Sequence, residues 1–314
     1  MRTLVGNQAP RSAPPSVLAI FGPTASGKTA VAETVADLLG GEVVSADSMQ
    51  AYRGLRILTA QPARATRLVG IWPLSHEGSV AEYAGLAHGA IDELVAAGRT
   101  PVVAGGTGLY LRAALADLEL PPAPPAERRA HWEEVYDRLG PTRAYQALVE
   151  RDPAAAARLH ANDRRRVVRA LELCELGSSL RPASDRLWTE ETRHPSAVFG
   201  LEVSREALLR RIEQRAREMF AAGVVAEARA ALSGPISSTA VHALGLRDVA
   251  ELPEEQALEA LIVRTRRYAA YQRKWLRRIP GLVSVNADRP VDDIAHEIVE
   301  VASARQRLPA GRAG

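Results

Sequence analysis

Lysine is nearly absent from this chain of 314 residues: two occur, Lys28 and Lys274, among 40 basic residues. Cysteine is scarcer still. The single Cys174 excludes an internal disulfide and argues against a Cys-based zinc site. No apolar run approaches the roughly 20 residues that span a bilayer. Residues 1–16, rich in Pro, Ala and Ser, hold no hydrophobic signal region and read as a disordered extension. The expectation is a cytoplasmic protein with no membrane role. Seven histidines show no metal-ligand spacing. No apolar run ends in Asp after the Walker-B pattern, which argues against a motor or a GTPase. A net charge of +3 is too small for the overall field to argue for nucleic acid.

What is present is concentrated. Gly22-Pro23-Thr24-Ala25-Ser26-Gly27-Lys28-Thr29 fits the phosphate-binding pattern G-x-x-x-x-G-K-[ST] in full. Val17 to Phe21 before it reads as a buried strand, and Ala30 to Ala36 after it as a helix. Glycines let the backbone wrap an anion, and amides at a helix N-terminus point at phosphate. Lys28 would reach the outer phosphate and the Thr29 hydroxyl would hold Mg²⁺. A chain that writes Arg almost everywhere has kept Lys here, so part of it is expected to bind a di- or triphosphate.

Strand and helix alternate through the first part. Glu42–Ser45, Leu68–Trp72 and Pro101–Ala104 read as buried strands, and Ser79–Ala97 as a helix ending at Gly98. Alternation implies a parallel sheet covered on both faces, with ligands beyond the carboxyl ends of the strands. A Pro-rich hinge at Leu120–Pro125 opens a stretch that is helical to about Leu187. Ala197–Val203 and Leu282–Asn286 then return as strands. The predicted fold is α/β: a P-loop NTPase-like parallel sheet with helices on both faces, residues 17–120 and 197–304. An all-helical insertion spans 121–196, and a disordered tail runs from 305 to 314.

Other residues are placed to do chemistry. Asp47, just past the second strand, would face the phosphate loop as a metal-sphere carboxylate, a substrate ligand, a general base or a helix N-cap. Gly105-Gly106-Thr107-Gly108 follows the strand ending at Ala104, and offers either a hydroxyl beside close-packed backbone or a structural turn. Basic residues cluster at Arg164–Arg166 with Arg169, and again from Arg264 to Arg278. Either cluster suits a phosphate backbone or a solvated helix face. Arg264, Tyr268, Tyr271 and Trp275 recur at helical spacing, which favours a core face over a base-stacking platform.

Taken together, GPTASGKT (22–29), SADSMQAYRGL (45–55), GGTGLYL (105–111), NDRRRVVRALEL (162–173), LLRRIEQR (208–215) and QRKWLR (272–277) resemble the tRNA dimethylallyltransferases, in that family's order. The resemblance implies transfer of a dimethylallyl group from dimethylallyl diphosphate to the exocyclic amine of the adenine 3′ of the anticodon. It implies Asp47 as general base, Thr107 as its partner in holding the adenine, and Arg215 with the loop and Mg²⁺ on the leaving diphosphate. It further implies a flipped adenine. Contacts to the tRNA anticodon stem-loop would come from Asp47, Ser48, Met49 and Gln50, from Thr107 and Arg129, from Arg165, Arg166, Val167, Val168 and Arg169, and from His242, Ala243, Leu244, Gly245, Leu246 and Arg247. For Arg169 a surface salt bridge with Glu172 or Asp163 stands beside that role. The chain is expected to act as a monomer.

The sequence departs from the family pattern at Leu58 and Gln61, where Gly and Lys are usual. It departs again at Trp72-Pro73-Leu74, at Leu246, and at Ala270 and Tyr271. A P-loop small-molecule kinase with an arginine-rich lid is the enzymatic alternative. An RNA-binding module with a nucleotide switch is the non-enzymatic one.

Overall fold

Strand β1 (Val17–Phe21) is buried along its whole length, as a central parallel strand must be. The structure, a computed structural model, describes residues 16–121, 126–180 and 186–307. Those residues form two compact units, one from the chain before 118 and after 186, the other from 118–186.

In the first unit, β1 joins β2 (Glu42–Ser45), β3 (Pro101–Gly105), β4 (Ser196–Glu202) and β5 (Val283–Asn286) in a parallel sheet ordered β2-β3-β1-β4-β5. Alternate β1 residues feed opposite cores. Val17, Ala19 and Phe21 pack with Tyr83, Ile91 and Leu111 from α2 (Val80–Ala96) and α3 (Gly108–Leu115). Leu18 and Ile20 pack with Val31, Ile212 and Ile298 from α1 (Lys28–Leu39), α7 (Arg205–Ala221) and α11 (Val291–Arg307). A one-residue slip would exchange the two faces, so the register is strongly set. α2 starts where the sequence signals it: the Ser79 hydroxyl accepts from the Glu82 amide at 3.1 Å. Its end is marked by Gly98 at φ 68°.

A third cluster joins Leu55 and Leu58 to α7, α8 (Val224–Ser233), α9 (Leu246–Glu251) and α10 (Glu254–Leu276). Leu58 is 7% exposed there, so the departure from Gly serves packing. The helical unit holds α4 (Ala126–Arg151), kinked at Gly140-Pro141, the short α5 (Pro153–Ala156) and α6 (Arg164–Glu175). Its core is built on Trp132, Tyr136, Leu148, Val167 and Leu171.

Several expectations need correction. Leu68–Trp72 is not a strand: left-handed φ at Leu68 (65°) and Gly70 (62°) breaks the extended run. Only isolated bridges, Val44 with Arg67 and Tyr52 with Trp72, remain. Residues 187–195 belong with the α/β unit, not with the insertion. Buried Arg112 ties them there by donating to the carbonyls of Leu187, Thr189 and Glu191. Residues 305–307 continue α11 instead of opening a tail. Residues 1–15, 122–125 and 308–314, where the extension, most of the hinge and the rest of the tail were expected, lie outside the described residues. The late-helix stripe is a core face only at Trp275, which packs on the first core. Tyr271 is 52% exposed, and exposed Arg264 pairs with Asp248, while Tyr268 turns toward Thr107.

Candidate active site

Three turns at the carboxyl ends of β1, β2 and β3 meet at one rim of the sheet. The first is the phosphate loop. Gly27 at φ 88° makes the left-handed turn into α1, and Ala25 is held at φ 63°, a strained value for a residue with a Cβ. Val31 is the first α1 residue to donate back into the loop, to the Gly27 carbonyl at 3.2 Å. Among the described residues no protein acceptor meets the amides of Gly27, Lys28, Thr29 or Ala30, which leaves a row of N–H groups for an anion. Ser26 is 2% exposed and its hydroxyl has no protein partner, a second group awaiting an acceptor.

Two cations serve this cradle. Lys28 donates to the Pro23 carbonyl at 2.8 Å, and Arg215 of α7 to the Thr24 hydroxyl at 3.4 Å. Burial pulls the Lys28 pKa down to about 8; the charge of Asp47 opposes that and Arg215 adds to it. Arg215 is also lowered, by burial first, against the pull of Asp47 and Glu218. Two cations held close and partly stripped of water are poised for a multiply charged anion.

The second turn carries Asp47. Its Oδ1 accepts from the Met49 amide at 3.0 Å, which fixes the carboxylate and leaves acceptor capacity. The third carries Thr107, whose Oγ1 lies 3.5 Å from the Ser48 amide, the Ser48 hydroxyl and the Tyr268 hydroxyl. All three contacts are at the long limit of hydrogen bonding, so the hydroxyl can turn to a substrate. Burial and the Asp47 charge raise Tyr268, which keeps it a neutral donor. Burial, Tyr110 and Asp47 do the same for Tyr83, whose hydroxyl anchors β2 through the Ser45 carbonyl at 2.9 Å. The charge of Asp47 is thus felt by Lys28, Arg215, Tyr83 and Tyr268 together.

Of the residues expected from sequence, the structure brings together Thr24, Ser26, Lys28, Asp47, Ser48, Thr107 and Arg215. Thr29 stands exposed on the first turn of α1. Others are otherwise engaged. Gln50 accepts from Ser45 and donates to the carbonyls of Thr59 and Ala60. Met49 packs on the third core. Gln61, the departure from Lys, donates to the carbonyls of Gln50 and Tyr52, so it closes the loop as structure. Val167 (0% exposed), Val168 (4%), Ala243 (4%) and Leu246 (1%) have buried side chains, which leaves their backbone for the expected contact. Gly245 is likewise buried, while His242 and Arg247 are exposed. In the helical unit, Arg129 and Arg169 both pair with buried Glu172, at 3.3 and 3.2 Å. The salt-bridge alternative for Arg169 is thereby realised. Arg165 and Arg166 are exposed at the N-terminus of α6.

Sequence reasoning missed Glu227, which accepts from the Ile57 and Leu58 amides, and the roles of Tyr268 and Gln272. The segment starting at Gln272 had been noticed as a motif; its contacts needed the fold.

Among the described residues no helix is long and apolar enough to cross a membrane, and no three His, Cys, Asp or Glu side chains could hold a metal ion. The IPP transferase family model matches residues 50–279, and the isopentenyl transferase model residues 15–70. A tRNA dimethylallyltransferase of Anaeromyxobacter is 40% identical over 295 residues, 90% of this chain and 98% of the relative. One of Corynebacterium jeikeium is 38% identical over 286 residues, covering 87% and 92%. The crystal structure of a tRNA isopentenylpyrophosphate transferase from Bacillus halodurans aligns with a TM-score of 0.67 at 31% identity, over 93% of this chain and 96% of that one. A eukaryotic dimethylallyltransferase acting on tRNA shares the fold, with a TM-score of 0.75 at 22% identity over 94% and 81%. With a loop whose free donors suit an anion, a carboxylate and a hydroxyl at the same rim, and these likenesses along most of its length, the chain belongs to the IPP transferase family.

Proposed function

We propose that this chain transfers a dimethylallyl group from dimethylallyl diphosphate to the exocyclic amine of the adenine 3′ of the anticodon in tRNA, releasing diphosphate. The observation that carries the reading is the pairing, on one sheet rim, of an anion cradle holding Lys28 and Arg215 with a fixed carboxylate, Asp47, beside the Thr107 hydroxyl. The relatives' names supply the group moved and the class of acceptor.

In the transfer, the amine nitrogen attacks the allylic carbon and the carbon–oxygen bond breaks. The electron pair leaves with diphosphate, and the amine proton passes to Asp47. An aryl amine is a weak base, so its proton must be taken as the new bond forms. Thr107 and Tyr268 would orient the base. Loop amides, Ser26, Lys28 and Arg215 would hold the departing charge, which is catalysis by fixed electrostatics and not phosphoryl transfer. A cation of the Mg²⁺ type takes most of its ligands from phosphate and water. The exposed Thr29 hydroxyl, with no acidic cluster nearby, suits one that arrives on the donor, where it would neutralise diphosphate charge. All these groups come from one chain, so the reading needs no second copy, and a monomer in the cytoplasm is proposed. Exposed Arg165 and Arg166 would meet phosphates of the anticodon stem-loop, whose adenine must leave its stack to react.

Purified protein given labelled dimethylallyl diphosphate, Mg²⁺ and unmodified tRNA should transfer label to the RNA. Transfer of γ-phosphate from labelled ATP to a small acceptor, with untouched tRNA, would overturn the reading.

A further inference from the structure

Gln272 of α10 is 1% exposed, yet both ends of its amide are used. Its Oε1 accepts from the Thr24 amide at 2.7 Å, and its Nε2 donates to the Gly106 carbonyl at 2.8 Å. One planar group therefore joins the phosphate loop to the turn that carries Thr107. The fit is close: a Cβ on Gly106 would come within 2.3 Å of Nε2. The orientation is forced as well, because a flipped amide would set oxygen against carbonyl oxygen and N–H against N–H. Thr24 is also the loop residue whose hydroxyl meets Arg215.

On the transfer reading above, we infer that Gln272 is a positioning residue for the reaction: its amide sets the spacing between the donor's diphosphate and the acceptor base. The donor is gripped on the Thr24 side of this bridge and the base on the Thr107 side. The reacting carbon and nitrogen lie between, and in such an arrangement a misplacement of about 1 Å costs roughly 10²-fold in rate. Gln272 itself touches neither reacting atom.

Three variants test this. Gln272→Leu keeps the bulk and loses both bonds; kcat should fall roughly 10²-fold with little change in KM for either substrate, since each half-site keeps its own contacts. Gln272→Glu gives a sharper readout. An ionised carboxylate can accept from Thr24 but faces the Gly106 carbonyl without a proton. A protonated one restores both bonds, its O–H donating to Gly106. Activity of Gln272→Glu relative to wild type should therefore rise as pH is lowered, while that of Gln272→Leu stays flat. The titratable neighbours are Tyr268 on the same helix, which also bonds the Gln272 side chain, and, around Thr24, Lys28, Arg215 and Asp47; Gln272→Leu, which adds no charge, reports how far they move the profile by themselves. Gly106→Ala should reproduce the kcat loss from the other end, and combined with Gln272→Leu should add little to it. A flat Gln272→Glu ratio, or equal losses in kcat and in folded fraction, would overturn the inference while wild type remains active. An inactive wild type would instead count against the transferase reading.

Discussion

The phosphate loop and the N-terminus of α6 both present basic side chains at the start of a helix, and they differ in how water treats them. At the loop, Lys28 is stripped of enough water to lower its pKa to about 8, and Arg215 is lowered with it. At α6, Arg164 lies in a surface pair with Asp137 at 2.7 Å, and Arg165 and Arg166 are open to solvent. Charges in a low-dielectric setting interact strongly at short range; exposed ones are screened within about 8–10 Å at ordinary salt. The loop is therefore suited to discriminating one small anion, and α6 to drawing in a long polyanion. Three cations beside the positive end of a helix dipole are also poor for α6 itself. Asp163 caps the helix, accepting from the Arg166 amide at 3.2 Å, and only partly offsets this.

The largest effect should come from the carboxylate opposite the loop. Asp47→Ala should lower kcat by roughly 10²–10⁴, the usual worth of a general base, and leave diphosphate binding nearly intact. A near-wild-type rate in single-turnover assays would show that Asp47 is not the base. Next is Lys28→Met, for which donor affinity, measured by calorimetry, should fall on the order of 10-fold to 10²-fold, the range of a lost charge-assisted contact of about 1.5–3 kcal/mol. The protein without donor should become no less stable, because a desolvated charge has been removed. The pH dependence has a definite sign. Between about 8 and 10.5 the folded protein has shed a proton that the unfolded chain keeps, so Lys28 makes stability rise with pH across that window. Donor affinity moves the other way, falling as pH passes about 8. Lys28→Met should abolish both trends, and a wild-type affinity that is flat from pH 7 to 9 would break the comparison at its loop end.

Sequence and structure agree best where chemistry is local. Residues 22–29 carry their own strand, turn and helix signals, so their geometry was legible without the rest of the chain. β1, β3 and β4 were legible because buried parallel strands read as apolar runs, and the less buried edge strands β2 and β5 were legible as short Val-rich segments. Leu68–Trp72 reads the same way, but two residues at positive φ bend it into a turn, and composition alone cannot signal that at Leu68. The site was legible residue by residue and not in its wiring. Nothing near Gln272 says that it reaches back 248 positions to Thr24. The RNA-facing residues were read least well. A motif names a run such as 165–169 whole, whereas a helix buries Val167 and Val168 and turns Arg165 and Arg166 outward.

The smallest effect, and the one that tests the α6 end, is Arg165→Ala. Arg165 is exposed and makes no ion pair among the described residues, so its removal should cost little stability. Its value lies in counterion release: each phosphate contact contributes roughly 0.7–0.9 to the slope of log affinity against log salt. Arg165→Ala should therefore weaken tRNA binding at low salt, flatten that slope by about one contact, and leave kcat at saturating tRNA unchanged. Donor affinity, set in the partly desolvated loop, should show a weaker salt dependence, the same in both proteins. Equal salt slopes for wild type and variant would mean that Arg165 meets no phosphate. A donor affinity as salt-sensitive as the tRNA affinity would remove the distinction between a desolvated site and a screened surface.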